Sequence, residues 1–450
     1  MPDFHTYTMW YTNHGEPIGR LMRGYLPPVK EGWMIGCGEY GAEGLDSADL
    51  MRRRYPAAWT SCDRNGDWYP DRILRAQTHS VQGDWYKEQH TMEDWVRESW
   101  KHQARATKLM TDAFRRRGDV INQTAVHLLI DAWPSGWMKT LVDCERTPKP
   151  AYFAYREALI PLKINLYTGR NSAYEDETVP VEAWVLNDTG EERNLTIRAE
   201  IWEEGADAPY EMYCEPYQIP AADARCAGMI PVHFENKGRR RTVIVQAALL
   251  EGDSVLHQEE IRIEVYARRM LNRPVYALGE EAQKLLALYG AESQASDLWL
   301  VSSETEEDIL RLEEHLKSGG SAVWLLPEKA AQFTCCQARV ETKACGDLFF
   351  AAADGKYENY ELGMEYNCRK EYIDATAAYT ISTDLPGETV IYTYDKHGFN
   401  GSSGAKPHLP FVKRCSSAGG TLTLVSLARD GRVGYNGGLD ELLLDLVEEG

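Results

Sequence analysis

Trp33-Met-Ile-Gly-Cys-Gly-Glu39-Tyr-Gly-Ala-Glu-Gly-Leu45 decides how the front of this 450-residue chain is read. A short apolar run passes into Gly-Glu-Tyr-Gly, and a loop and a helical segment follow. A buried parallel strand that ends in a carboxylate at the mouth of a barrel has this pattern. Glu39 is therefore the first candidate for chemistry. The segments before Lys163 read as its surroundings, and those after it as scaffold.

Working outward, His5 to Tyr11 is dense in β-branched and aromatic residues, which predicts a strand ending near Thr8. Asn13 to Pro17 reads as a loop, and Pro27-Pro28 punctuates again. Met34 to Gly38 is the next strand. Asp46, as N-cap, opens a helix to Tyr55, and Pro70 to His79 reads as another. Thr91-Met-Glu-Asp94 has the form of a capping box. The helix it starts aligns Trp95, Ser99, His102, Ala106, Leu109, Met110 and Ala113 on one face and stops near Arg117-Gly118. Val120 to Asp131 is a third strand, with Ala125 to Ile130 as a buried run, closed by Trp133-Pro134. Strand, helix, strand with long loops is α/β. Three strands do not close an eight-stranded barrel, so this reading places the earlier strands outside the chain. A first segment that begins inside a core element carries the same expectation.

The net charge of -20 argues against nucleic acid and anionic membranes as partners. The arginine triplets at 52–54, 115–117 and 239–241 read as solvated faces. Ten cysteines show no C-x-x-C spacing, and all read as reduced thiols in a cytoplasm. Cys335-Cys336 are adjacent, which suits neither a simple intrachain disulfide nor a common metal site. The first residues are polar, without the apolar stretch of a signal peptide, and no apolar run approaches membrane-spanning length. His79, His90 and His102 lack ligand spacing with carboxylates, so neither metal nor cofactor is expected.

Four motifs occur in order: His5-Thr-Tyr7-Thr-Met-Trp10-Tyr11, Gly38-Glu39-Tyr40-Gly41-Ala42, Asp131-Ala-Trp133-Pro134, and Asp143-x-x-Arg146-x-Pro148-Lys149-Pro150-Ala151-Tyr152. Together they resemble the C-terminal half of the catalytic barrel of glycoside hydrolase family 2, which includes β-galactosidases, β-glucuronidases and β-mannosidases. The resemblance covers residues 1–163. It implies Glu39 as the catalytic nucleophile at the end of the seventh strand and Tyr7 as the residue that hydrogen-bonds and orients it. It also implies His5, Trp10, His127, Asp131 and Trp133 as substrate-binding candidates. Retaining hydrolysis needs one carboxylate to attack the anomeric carbon and a second, about 5–5.5 Å away, to protonate the leaving oxygen. A tyrosine hydroxyl on the first keeps it ionised.

Two departures stand out. The family's acid/base glutamate follows an Asn at the end of the fourth strand, and no Asn-Glu dipeptide precedes Glu39; Glu235-Asn236 has the reverse order. In the eighth strand His127 holds the place of the usual aromatic platform, and Ile130 the place of the usual Asn. The expected function is a retaining β-glycosidase acting on a β-linked glycoside or oligosaccharide, with an N-terminal part of the enzyme as partner and source of the acid. The alternative is a non-catalytic carbohydrate-binding or partner-docking protein derived from that fold.

Composition changes at Pro161-Leu-Lys163. About seven alternating stretches, from Val179 to Val265, predict an immunoglobulin-like β-sandwich over 164–268. Strands and helices then alternate from Pro274, and Gly319-Gly320 reads as a helix end rather than a phosphate loop. Residues 269–450 are expected to form a flavodoxin-like α/β domain, similar to accessory modules of some bacterial glycosidases, with an irregular insertion over 330–410. The predicted order is the C-terminal part of a (β/α)8 TIM barrel, a sandwich, and this α/β domain.

Overall fold

Three strands, β1 (Asp3–Thr6), β2 (Ile35–Tyr40) and β3 (Ile121–Val126), lie side by side and parallel at the front of the chain. The computed structural model describes residues 2–7, 18–61, 63–64, 67–68, 70, 73, 90–136, 138–344, 352–353, 379–394 and 408–450. They divide into two compact units, Met1–Tyr266 and Ala267–Gly450. Among the described residues no helix is long and apolar enough to cross a membrane.

Helices α1 (Ile18–Met22), α2 (Ala48–Arg54), α3 (Ala57–Thr60), α4 (Met92–Arg115) and α5 (Pro150–Ala158) accompany the sheet. The capping box forms as expected: Thr91 Oγ1 accepts the Asp94 N–H at 3.1 Å, and the Asp94 carboxylate accepts the Thr91 N–H at 3.1 Å. The face of α4 read from its spacing is buried at Trp95, Ser99, His102, Ala106, Met110 and Ala113. Ile35, Cys37, Tyr40 and Ile121 pack on it with Ile18 and Phe114.

Several boundaries differ from expectation. β1 ends at Thr6 rather than Thr8, and Thr8 to Pro17 lie outside the described residues. Most of the helix expected over Pro70 to His79 also lies outside them. Ser47, not Asp46, caps α2, accepting the Leu50 N–H at 3.1 Å. Asp46 is buried instead, 3.2 Å from Lys149 Nζ, and accepts the Tyr55 hydroxyl at 2.7 Å. β3 stops at Val126, and the run expected to be buried is not: Leu129 is 52% exposed. Beyond Val126 the backbone leaves the sheet and pairs locally, Leu128 with Lys139 and Leu141, and Leu129 with Val142.

The sandwich has eight strands rather than seven. These are β4 (Leu162–Tyr167), β5 (Ser172–Tyr174), β6 (Thr178–Asn187), β7 (Arg193–Glu203), β8 (Glu211–Ile219), β9 (Asp223–His233), β10 (Arg241–Glu251) and β11 (Ser254–Tyr266). One sheet runs β8-β7-β10-β11-β5 and the other β9-β6-β4. The alternation seen in sequence is the inner face. Val179, Val181, Ala183 and Val185 from one sheet share a core with Leu195, Ile197, Val243, Val245 and Ile263 from the other.

The second unit opens with β12 (Tyr276–Leu278), α6 (Glu280–Leu288), β13 (Leu298–Val301), α7 (Glu306–Lys317) and β14 (Ser321–Leu325). It continues with β15 (Ala331–Cys335), β16 (Ala338–Ala344), β17 (Tyr379–Thr383), β18 (Gly387–Tyr394), β19 (His408–Ser417), β20 (Gly420–Val425) and α8 (Gly437–Glu449). Gly319, at φ +87°, follows the end of α7, as expected of a helix cap. The flavodoxin-like expectation is corrected. The main sheet runs β12-β13-β14-β20-β19-β18, its first four strands parallel and the next two antiparallel, with the short strand Ala352–Ala353 antiparallel on the outer edge of β18. A flavodoxin-like sheet reverses its strand order after the first strand; among the described residues the parallel strands follow sequence order without that reversal. The stretch expected to be irregular contains a separate sheet, β15-β16-β17.

Where the helices of the first unit meet its sandwich, charges are buried. Lys163 Nζ, in a side chain with no exposure, lies 3.1 Å from Asp112 and 2.9 Å from Glu157. Lys108 Nζ lies 2.6 Å from both Asp112 and Glu259, and His257 Nε2 3.0 Å from Glu157. Arg115, Arg116 and Arg241 join this seam and the sandwich rather than a solvated face, whereas Arg239 stays exposed as expected. Buried Arg116 donates to Asn165 Oδ1 at 2.6 Å, Arg115 pairs with Asp188 at 2.8 Å, and Arg241 pairs with Glu175. Burial opposes ionisation of Glu157, yet His257, Lys108 and Lys163 hold its carboxyl well below the ordinary 4.5. A carboxyl depressed on folding adds stability above its unfolded value, and that stability is lost as pH falls through the folded value. Lys163→Met removes one of the two ammonium groups shared by Asp112 and Glu157 and leaves Lys108 as the remaining one between them. It should cost the first unit about 3–5 kcal/mol at neutral pH in urea unfolding. The gap from wild type should narrow as pH falls below 4.5; a loss under about 1 kcal/mol would mean the cluster behaves as a surface pair.

Candidate active site

After Gly36, β2 gains one residue on each neighbour; before it the extra residue is Asn122 of β3, since Ile35 pairs with Ile121 and Gly36 with Gln123. Phe4 pairs with Cys37 but His5 pairs with Glu39, and Cys37 pairs with Thr124 but Tyr40 pairs with Val126. Gly38 is the extra residue against β1. Cys37 is fully buried in the core under α4. Strict alternation from Cys37 would send Gly38 to the open face and the Glu39 side chain into that core. The bulge instead returns Tyr40 to the core, where its ring meets Phe114 at 5.0 Å and its hydroxyl meets Thr111 at 2.8 Å. Glu39 is left on the opposite face, beside His5 and 34% exposed. A Cβ on Gly38 would sit 2.4 Å from Asp3 Oδ2, so the space beside the bulge belongs to Asp3.

Tyr7, just past the end of β1, donates its hydroxyl to Glu39 Oε2. His5 Nδ1 lies 3.5 Å from the same oxygen, and His5 Nε2 lies 3.5 Å from Asp3 Oδ2. The Tyr7 hydrogen bond holds the Glu39 carboxyl below the ordinary carboxylate value. Burial opposes this, and His127, His5 and Lys139 support it through their charge. His127 follows β3 and is half-buried. Burial lowers its pKa, Glu39 pulls the other way, and Lys139 and His5 lower it further. These influences favour the anionic form of Glu39 and disfavour the charged form of His127.

The loop after Glu39 is tied to α4. Ser99 Oγ accepts the Leu45 N–H at 3.0 Å, and Trp100 Nε1 donates to Leu45 O at 2.5 Å. Gln103 Nε2 donates to Ala42 O at 3.1 Å, and Lys149 Nζ donates to Gly44 O at 2.8 Å. A Cβ on Gly44 would sit 2.4 Å from Gln103 Oε1, so a larger residue there would push this clamp aside. The strand end that aims Glu39 is thus held from both sides of the bulge.

The predicted residues separate in space. Tyr7, His5 and His127 gather around Glu39. Trp10 lies outside the described residues. Asp131 is buried and accepts from Thr140 Oγ1 at 2.9 Å and Ser135 Oγ at 3.4 Å, which braces the loop after β3. Trp133 is 65% exposed. Among the described residues no hydrogen bond or ion pair joins Asp131 or Trp133 to Glu39. Lys139 and Asp3 belong to the site and were not singled out from the sequence. Lys139 arrives only because residues 139–142 pair back on 128–129. A nucleophile or general base is what an ionised, hydrogen-bonded carboxylate in this position can be. Among the described residues, the one group of metal-ligating side chains close enough to share an ion lies in the second unit.

No protein-family model and no curated protein matches the chain. Solved structures that match include the β-D-mannosidase of Dictyoglomus thermophilum, at 17% identity and a TM-score of 0.42, over 62% of this chain and 32% of that one. Another is the exo-chitosanase of Amycolatopsis orientalis, at 13% identity and a TM-score of 0.41, over 90% of this chain and 45% of that one. A β-glucuronidase from glycoside hydrolase family 2 matches at 13% identity and a TM-score of 0.21, over 36% of this chain and 19% of that one. The chain thus spans less than half the length of each. Replacing Tyr7 by Phe removes the largest influence holding Glu39 down, so its carboxyl titration should move upward. Carbon-13 NMR of labelled glutamate, assigned by the loss of one signal in Glu39→Gln, reads this directly; an unmoved titration would show that the hydroxyl does not govern Glu39.

Proposed function

We propose that this chain carries the nucleophile of a retaining β-glycosidase of the glycoside hydrolase family 2 kind. The observation that carries the reading is the Tyr7 hydroxyl on Glu39 at the carboxyl end of a parallel strand, with His5 and His127 beside it. Barrel enzymes build their sites at that end of the strands. On this reading β1, β2 and β3 are the sixth, seventh and eighth strands of a barrel, with the earlier strands on another segment.

The chemistry follows from the charges. The Glu39 oxygen not engaged by Tyr7 attacks the anomeric carbon. The bond to the leaving oxygen breaks, that oxygen takes a proton from a second carboxylic acid, and a glycosyl ester forms on Glu39. Water then cleaves the ester, with the second carboxylate as base. Asp3 stands on the far nitrogen of His5 rather than against Glu39. The acid is therefore assigned to the glutamate that the family pattern places after an Asn on an earlier strand. His5 and His127, beside Glu39, form the rim on which a β-linked sugar would rest.

An activated leaving group departs without an acid, which makes the nucleophile testable by itself. Dinitrophenyl 2-deoxy-2-fluoro-β-glycosides of galactose, mannose and glucuronic acid should leave one fluoroglycosyl group on Glu39, found by mass spectrometry of the intact chain and its peptides. Glu39→Gln should abolish labelling. Tyr7→Phe should slow it by roughly tenfold to a hundredfold, the range that loss of a hydrogen bond to a charged group gives at about 1.5–3 kcal/mol. No labelling with any of the three sugars, or labelling that survives Glu39→Gln, overturns the assignment.

A further inference from the structure

The two-residue loop between β15 and β16 is Cys336-Gln337, and both residues have positive φ, +50° and +62°. That backbone is the tight hairpin turn whose usual occupants are Asn-Gly or Asp-Gly, because a Cβ is disfavoured there. A cysteine followed by a glutamine is an unusual choice on turn chemistry alone. The turn holds the Cys335 and Cys336 sulfurs 4.0 Å apart. Helix α7 then brings Glu313 across. Glu313 Oε1 accepts the Cys336 N–H at 2.6 Å, and one oxygen of its carboxylate lies within 4.8 Å of both sulfurs. The Cys335 thiol has no exposure, and the polar atom recorded against it is the Cys336 sulfur.

We infer that Cys335, Cys336 and Glu313 form a binding site for a soft divalent cation of the zinc or cadmium type. Two thiolates bound to zinc at about 2.3 Å in tetrahedral geometry stand about 3.8 Å apart, close to the spacing that the turn already sets. Adjacent cysteines cannot surround an ion by themselves. The third ligand comes from a helix in a different part of the sequence, and a fourth position stays open to solvent through half-buried Cys336. Thiolate sulfur selects zinc-like ions over magnesium or calcium. The Lys317 ammonium, 3.6 Å from Glu313 Oε2, offsets one negative charge, so two thiolates and a carboxylate beside it balance a divalent ion. Binding must release the thiol protons, because the thiolate is the ligand. A covalent Cys335–Cys336 disulfide would need the sulfurs at about 2.0 Å and is a different state of the same turn.

The test titrates the full reduced chain with cadmium and with cobalt. One equivalent of cadmium should produce a thiolate-to-metal charge-transfer band, and cobalt should produce the visible spectrum of a tetrahedral site. Cys336→Ser should remove both signals. Glu313→Gln should weaken binding by at least the ~10–100-fold that loss of an outer partner costs at a metal site. Cys214→Ser, at an exposed cysteine of the sandwich, should change neither. Metal-free melting curves show whether each variant is folded, and Glu313→Gln keeps the test decisive if Cys336→Ser is not. Retention of the bands in both Cys336→Ser and Glu313→Gln overturns the site. So does an absence of bands in the wild type, or a Cys335–Cys336 disulfide found by mass spectrometry in reducing buffer.

Discussion

The inserted residue in β2 sets what faces what across the front sheet. Before it, Ile35 and Cys37 belong to the core under α4; after it, Tyr40 does. One residue out of step is enough to carry Glu39 from that core to the open face, because side chains alternate along a strand. The same step places Glu39 opposite His5, so that Tyr7, two residues further along, can reach its carboxylate. Burial without these partners would raise the carboxyl and favour its neutral form. With them Glu39 stays anionic, the state a nucleophile needs.

The bulge depends on support from behind. Helix α4 receives Tyr40 and Phe4 against Phe114, and it holds the following loop through Ser99, Trp100 and Gln103. The same helix ends in the buried charge cluster. There Asp112 meets Lys108 and Lys163, and Glu157 and Glu259 close the set. Ion pairs out of water gain little net stability over apolar packing, but they tolerate few arrangements. One helix therefore links the strand end that carries Glu39 to the orientation of the sandwich strand β4.

Much of this was legible from local patterns. The capping box at Thr91, the periodic face of α4 and the alternation from Val179 to Val185 each follow from rules acting within a few residues. The hydrogen bond between Tyr7 and Glu39 was legible through motifs that keep their spacing. Other features were hidden because their causes are distant in sequence. Asp46 looks like a helix cap, and nothing nearby tells that Lys149 will reach it. Lys139 enters the site through backbone pairing with residues 128–129. The hairpin Ala331 to Ala344 alternates as strands should, yet a Cys-Gln turn does not announce itself.

The amino-acid order alone carried the strands and helices around Glu39 and the alternation of the sandwich strands, because strand alternation and helix period are local properties. It also carried the expectation of a flavodoxin-like sheet, which failed. Alternating strands and helices do not specify the lateral order of strands, and the order here came from which edges paired. Tertiary structure decided the side of the sheet on which Glu39 stands, since a bulge is defined only against neighbouring strands. It decided which predicted contacts assemble, drawing His127 to Glu39 and leaving Asp131 to brace a loop. Two adjacent cysteines acquired a third partner in the same way, from a helix that only folding brings beside them.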